Sequence, residues 1–143
     1  MKTIKRLAGF LWLPLACCLA VFLLFRFVFF LGYVPSESME PTIQANSFII
    51  GNRIYSGLFQ GDIVIFEKDG QCLVKRIAAV PGDTVYINDA DHSVSVNSPM
   101  EATRVLSVPE ESYFVLGDNT DVSVDSRYWK DIFIKGSAIL AKL

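Results

Sequence analysis

The sequence predicts a mainly β protein, with one N-terminal transmembrane helix followed by a compact, partly closed β-barrel or sandwich domain. The helix is predicted by an uncharged apolar run, Leu7 to Phe25. The β domain is predicted by short β-rich runs that recur, with turn signals between them, to the end of the chain. With 143 residues, the chain has room for one domain of ordinary size beyond the helix.

The N-terminal segment has the charge pattern of a membrane anchor. Residues 1–6 contain Lys2, Lys5 and Arg6 and no acid, and the next 19 residues are uncharged. About 20 apolar residues cross a bilayer as a helix. A cleavable signal peptide also starts with positive charge, but its apolar core is usually about 7–15 residues long. We therefore expect a cytoplasmic segment 1–6, a transmembrane helix 7–25 and an extracytoplasmic domain 26–143.

The strand signals follow in chain order. "SFIIGNRI" predicts a short strand, and "GDIVIFEKDGQCLVKRIAAV" predicts a hairpin, because Asp-Gly favours a tight turn. "TVYIN" and "HSVSVN" predict a second hairpin around "DADH", and "SYFVLGDN" and "KGSAILAKL" predict two further strands. "SPMEATRVLSVPEE" is predicted to be an irregular surface connection.

Composition argues against several kinds of site. All 15 acids lie at or after Glu37, while only nine Lys or Arg follow Arg26, so this part has a net charge of −6 and no basic stripe for nucleic acid. Cys72 is the single cysteine beyond the predicted helix and cannot form an internal disulfide. His92, the one histidine, is predicted to lie at the surface beside a turn. We expect no metal and no cofactor.

The segment "PSESMEPT", residues 35–42, is the first candidate for chemistry. It places Ser36 and Ser38 shortly after the predicted helix. Pro, Ser and Glu also suit an ordinary turn. Since His92 is an unpromising base, a serine nucleophile would need a lysine, which acts as a base when its pKa falls toward neutrality.

Lys75 is the candidate base. In the strand "CLVKRIAAV" side chains alternate, so Lys75 shares a face with Leu73 and Ile77 while Arg76 points to the opposite face. Burial would lower the pKa of a lysine, whereas a buried arginine stays charged and needs a carboxylate. The pattern also permits an edge strand from which both side chains reach water.

The third candidate is the polar loop "GDNTDVSVDSRYW", Gly117 to Trp129, which joins two apolar strands. A solvated loop with Asx turns is the alternative interpretation.

Taken together, "PSESMEPT", "LVKRIAAVPGD" and "GDNTDVSVDSR" resemble the motifs of type I signal peptidases, the Ser-Lys serine proteases of the bacterial cytoplasmic membrane. "GDIVIF" resembles an intermediate motif of that family, and the resemblance covers nearly the whole chain, anchor included. It implies the signal peptidase type of β fold. It also implies two partners, the lipid bilayer and the signal peptides of exported preproteins.

The resemblance assigns roles residue by residue. Ser38 would be the nucleophile and Lys75 the general base, with Ser36 helping to bind the oxyanion. Ser123 would hydrogen-bond and orient Lys75. The residues that would support the site through ion pairs are Arg76, Asp118, Asp125 and Arg127. Val34 and Val74 would line a shallow apolar pocket for the small side chains of an Ala-x-Ala sequence.

Some positions depart from the family pattern. Glu37 stands where glycine is common, and its charge beside Lys75 would oppose deprotonation of the amine. Thr120 and Val122 replace residues that are often polar or charged. Residues 84–112 are short for the family, so its second β subdomain should be reduced or missing.

The sequence leaves three alternatives to a general signal peptidase of bacteria. One is a peptidase dedicated to a single pilus or conjugation substrate, and another is a relative from the mitochondrial inner membrane. The third is a non-catalytic, membrane-tethered β domain that binds peptides.

Overall fold

The N-terminal segment of the molecule, through Val34, runs from helix to strand without an intervening loop. A computed structural model describes the backbone of residues 2–143 and the side chains from residue 12 onward. Helix α1 (Lys2–Leu23) continues into a π-helical turn (Leu24–Val28) and then directly into strand β1 (Phe29–Val34). The predicted segment 1–6 and the start of the predicted span, residues 7–11, lie outside the described side chains. Among the residues described, no helix has both the length and the apolar character needed to cross a membrane.

The remaining strands form two antiparallel sheets. They are β2 (Ser47–Asn52), β3 (Ile63–Lys68), β4 (Gln71–Ala79), β5 (Thr84–Ile87), β6 (Val94–Val96), β7 (Arg104–Ser107), β8 (Ser112–Leu116), β9 (Ile134–Lys135) and β10 (Ile139–Lys142), the last preceded by a 3₁₀ turn (Gly136–Ala138). The large sheet has the order β1-β2-β10-β3-β4-β8-β9, and the small sheet has the order β6-β5-β7.

This architecture confirms a mainly β domain but not the predicted barrel closure. In the described chain, β1 pairs only with β2, and the two-residue β9 pairs only with β8, so the large sheet is open at both ends of its strand order. The small sheet spans residues 84–107 and corresponds to the region that the sequence marked as reduced.

Both predicted hairpins are present. Asp69 and Gly70 have φ values of 52° and 74°, the left-handed backbone that a tight β3–β4 turn requires. β5 and β6 form the second hairpin. The prediction of an irregular connection after β6 was wrong, because it contains β7, which pairs with β5. β1 was not predicted, because its apolar residues read as a continuation of the helical run.

Strand β4 packs against apolar side chains on both faces, and this determines where the site lies. Ile77 on one face packs in a cluster with Val64 and Phe66, and Val74 on the other face packs beside Ile65 and Ala141. Fully burying each such side chain contributes roughly 1.5–3 kcal/mol. Any charged residue on β4 therefore has to find a polar partner or lose its charge.

Candidate active site

Ser38 and Lys75 are in direct contact. Lys75 Nζ lies 2.6 Å from Ser38 Oγ, and Lys75 is only 4% exposed. Lys75 comes from the middle of β4, whereas Ser38 lies in the turn that follows β1. The backbone of Ser38 is held by Asn119, whose N–H donates to the Ser38 carbonyl oxygen at 3.1 Å. The structure thus brings together the two residues that the sequence singled out from positions 37 residues apart.

The environment of Lys75 favours its neutral form. Burial lowers the pKa of Lys75 below its ordinary value, and the nearby positive charge of Arg127 acts in the same direction. The carboxylates of Asp125 and Asp118 raise the pKa, but burial outweighs them. An amine in this position can accept a proton from the serine hydroxyl that it contacts.

Arg76, the next residue on β4, faces the other way and keeps its charge. Its guanidinium binds Asp118 through two hydrogen bonds, Nε to Oδ1 at 2.7 Å and NH2 to Oδ2 at 2.6 Å. It also donates to the carbonyl oxygen of Gly61 at 2.8 Å. The hydrogen bond from Arg76 lowers the pKa of Asp118. This pair anchors the start of the polar loop to β4.

A second arginine–aspartate pair lies within the polar loop and stabilises its conformation. Asp125 and Arg127 are both buried and are joined by two hydrogen bonds of 2.9 Å. Asp125 Oδ2 also accepts the N–H of Gly117 at 3.0 Å. Burial works against the charged carboxylate, but the bonds from Arg127 and Gly117 hold the pKa of Asp125 below its usual value. Arg127 donates further to the carbonyl oxygen of Thr120 at 3.2 Å.

The two supporting serines differ in position. Ser36 Oγ lies 3.3 Å from Ser38 Oγ, within hydrogen-bond distance. Ser123 is buried, but its hydroxyl has no hydrogen-bond partner within the described part of the chain and does not bond to Lys75. The predicted orienting role of Ser123 is therefore not visible in this arrangement and stays a prediction.

Gly117 lies where the polar loop closely approaches the serine turn, which is the turn after β1 that contains Ser36 and Ser38. A β-carbon at this position would overlap Ser123 Oγ and lie 2.5 Å from the Ser38 carbonyl oxygen. Only glycine permits this approach without displacing one of the two segments.

Two cavities meet at the Ser38–Lys75 pair. The smaller, of about 90 Å³, includes the predicted pocket residues Val34 and Val74 in its wall, and the larger has a volume of about 430 Å³. Sequence reasoning missed several residues that line one or both: Tyr33, Pro35, Cys72, Leu73 and Val124.

The departures from the family pattern also reach this region. Glu37 is exposed and lines the larger cavity, and so does Val122. In "VSVD", Ser123 and Asp125 are buried and the two valines are exposed. This alternation was the available signal for Val122 and Val124.

Comparison with known proteins gives a consistent result. The family described as "Signal peptidase, peptidase S26" matches residues 7–102 and 90–143. A probable signal peptidase I-2 from Synechocystis is 35% identical over 117 residues, covering 68% of this chain and 54% of the relative. Signal peptidase I from Bacillus amyloliquefaciens is 32% identical, covering 94% of this chain and 85% of the relative.

The match covers only part of the length of some relatives. The match to a solved structure, in turn, covers only part of this chain. The chain covers 54% of the length of the Synechocystis protein and 59% of a signal peptidase I from Leptolyngbya laminosa. A crystal structure of a signal peptidase I from Enterococcus faecalis is 30% identical, with a TM-score of 0.49, and covers 62% of this chain and 97% of that one.

Proposed function

The chain belongs to the signal peptidase family, peptidase S26, and we propose that it is a membrane-bound serine endopeptidase that removes N-terminal signal peptides from exported preproteins. In this proposal Ser38 is the nucleophile and Lys75 the general base. The observation that carries it is the 2.6 Å contact between Ser38 Oγ and a buried Lys75 Nζ. A surface lysine would stay protonated at neutral pH and could not take the serine proton.

The reaction follows from this contact. Neutral Lys75 removes the Ser38 proton as Ser38 Oγ attacks the scissile carbonyl carbon. The peptide C–N bond then breaks, and the lysine ammonium returns its proton to the leaving amine, leaving an ester on Ser38. Lys75 next deprotonates a water that hydrolyses the ester and restores the serine. The pair is a two-residue variant of the nucleophile and general base that serine proteases use.

The oxyanion of this reaction would be bound by the Ser38 N–H and the Ser36 hydroxyl. Within the described residues, the Ser38 N–H donates to no backbone or side-chain acceptor, so it is free for a substrate. The Ser36 hydroxyl lies 3.3 Å from Ser38 Oγ. Losing one such donor typically reduces kcat by roughly 100–1,000-fold.

The free edge of β4 offers a place for an extended substrate. Residues of β1 and β4 both line the small cavity at the Ser38–Lys75 pair. β8 pairs with β4 only from Arg76 onward, so residues 71–75 carry no strand on that side in the described structure. A peptide can therefore add as a strand, with backbone hydrogen bonds giving affinity and side-chain pockets giving specificity. The 90 Å³ cavity beside Val34 and Val74 suits an alanine before the cut bond.

The bacterial cytoplasmic membrane is the proposed location, with α1 as a single span and the β domain outside. The support is the charge pattern of the N-terminus and the apolar surface of the described part of α1. Large apolar side chains exposed there are Trp12, Leu13, Leu15, Leu19, Val21 and Phe22. Protease added to intact spheroplasts should then digest the chain from about residue 32 onward; a protected C-terminus would contradict the orientation.

The decisive experiment is processing of a secretory precursor by the detergent-solubilised full chain. We expect cleavage after a small residue, read by mass spectrometry of the product, and none by the Ser38→Ala control. Changing the precursor alanine before the cut to phenylalanine should abolish processing. Binding without cleavage would favour the peptide-binding alternative, and cleavage of a single dedicated precursor would favour the specialised peptidase.

A further inference from the structure

Val122 and Val124 form an apolar surface for which the fold itself gives no reason. They are 53% and 64% exposed, although each sits next to a residue that is buried. The polar loop, Gly117 to Trp129, is held in place by the buried Asp125–Arg127 pair and by the Asn119 N–H bonded to the Ser38 carbonyl. The two valines therefore project from a fixed segment, and they contribute little to its folding.

Both valines line the 430 Å³ cavity, which also contains Ser38 and Lys75 in its wall. Their apolar surface is thus continuous with the reacting atoms. Neither valine lines the 90 Å³ cavity, which is bordered by β1 and β4 instead. The two cavities share the residues around the Ser38–Lys75 pair and differ in the rest of their walls, since the smaller cavity includes Val34 and Val74 and the larger includes the two valines of the polar loop.

A peptide with its scissile carbonyl at Ser38 Oγ extends to both sides of the pair. One side holds the part that becomes esterified, and the other holds the part that leaves. Under the proposed function, the esterified part ends in a small side chain, which a 90 Å³ cavity fits and which a 430 Å³ cavity could not distinguish from a bulky one. The larger cavity is therefore left for the residues after the cut.

Building on the proposed function, we infer that Val122 and Val124 form a specificity subsite for an apolar side chain at the first residue after the cleaved bond. Contact with the two valines removes apolar surface from water on both partners. Glu37 lines the same cavity, so an acidic side chain at that residue meets a like charge and is disfavoured. The preferred substrates begin their released part with an aliphatic residue.

The test compares two neutral side chains of similar size in that position. Peptides with Leu or Asn directly after the cut are processed by the detergent-solubilised full chain, and kcat/KM is measured for each. We expect Leu to be favoured about tenfold, the lower end of what an apolar pocket discriminates. The double variant Val122→Thr, Val124→Thr keeps the branched shape but replaces one methyl group of each valine by a hydroxyl. In this variant the ratio of kcat/KM for the Leu peptide to that for the Asn peptide should fall below about twofold.

Val105 provides a matched control. It is an equally exposed valine on β7 and lines none of the cavities at the Ser38–Lys75 pair. Val105→Thr should keep the wild-type ratio. Cleavage without a Leu preference, or with the preference at the residue two positions before the cut, would overturn the subsite and leave the proposed function standing. Failure to cleave any peptide would overturn both.

Discussion

Two neighbouring basic residues lie on opposite faces of β4, and their surroundings shift their pKa values in opposite directions. Lys75 Nζ donates a hydrogen bond to the Ser38 hydroxyl and, within the described residues, forms no ion pair, and burial lowers its pKa. Arg76 is bound by both oxygens of Asp118, and that hydrogen bonding raises its pKa. The side chain of Arg76 is 34% exposed, so it also retains contact with water. Alternation along one strand thus places the proposed base on one face and a permanent cation on the other.

The largest expected effect is on the Lys75 face. Ser38→Ala and Lys75→Met should each reduce kcat for precursor processing on the order of 10⁶-fold, because nucleophile and base act as one unit. The double variant should be hardly worse than either single change. Thermal melting verifies that each variant is folded. Substantial turnover by folded Lys75→Met would mean that another group is the base and that the two faces do not differ as described.

Breaking the two arginine–aspartate pairs should lower the free energy of unfolding by different amounts. Asp125→Ala leaves the Arg127 charge buried without its partner, which should cost about 3–5 kcal/mol of unfolding free energy. Asp118→Ala leaves Arg76 able to reach water, so the loss should be about 1 kcal/mol or less. Denaturant unfolding of the detergent-solubilised chain measures both. Equal losses would show that exposure does not decide the cost of breaking these pairs.

The pH dependence of activity tests the electrostatics that link the two faces. Activity should rise with pH as Lys75 loses its proton. Asp118 raises the pKa of Lys75, so Asp118→Asn should move this rise to lower pH. Asp89→Asn, the same change in the exposed pair with Arg104 on the small sheet, is the control and should leave the profile unchanged. A shift to higher pH in Asp118→Asn would reverse the assigned sign.

The smallest expected effect is on thermal stability. Because folding lowers the Lys75 pKa below 10.5, the folded state binds fewer protons than the unfolded state between the two pKa values. The resulting penalty is complete below the folded pKa and disappears as pH rises toward 10.5. Lys75→Met lacks the penalty, so its Tm should exceed that of the wild type by a few degrees at neutral pH. The difference should shrink in alkaline buffer; a constant difference would point to packing instead.

The sequence predicted those features that depend on local pattern. Alternation in "CLVKRIAAV" placed Lys75 and Arg76 on opposite faces, and Asp69-Gly70 marked the hairpin that brings β4 back along β3. The three motifs pointed to the residues that the structure brings together. Strand β1 was hidden, because a strand of apolar residues that directly follows an apolar helix has no signal of its own.

Features that depend on long-range packing could not be predicted. The bond from Asn119 to the Ser38 carbonyl and the close approach at Gly117 arise only when the serine turn meets the polar loop. Ser123 is buried, but in the described structure its hydroxyl makes no hydrogen bond to Lys75, so its orienting role stays a prediction.

Because α1 passes through the π-helical turn directly into β1, the distance between the helical segment and the proposed cleavage site is fixed by the fold. β1 has six residues, each rising about 3.3 Å, so its last residue, Val34, stands roughly 20 Å along the strand from the end of the helical segment, and Ser38 lies in the turn just after it. Pairing with β2 at all six positions stiffens this distance. If α1 spans the bilayer as proposed, the chain cuts at one set height above the membrane surface, and a cleavage site held nearer or farther would be out of reach.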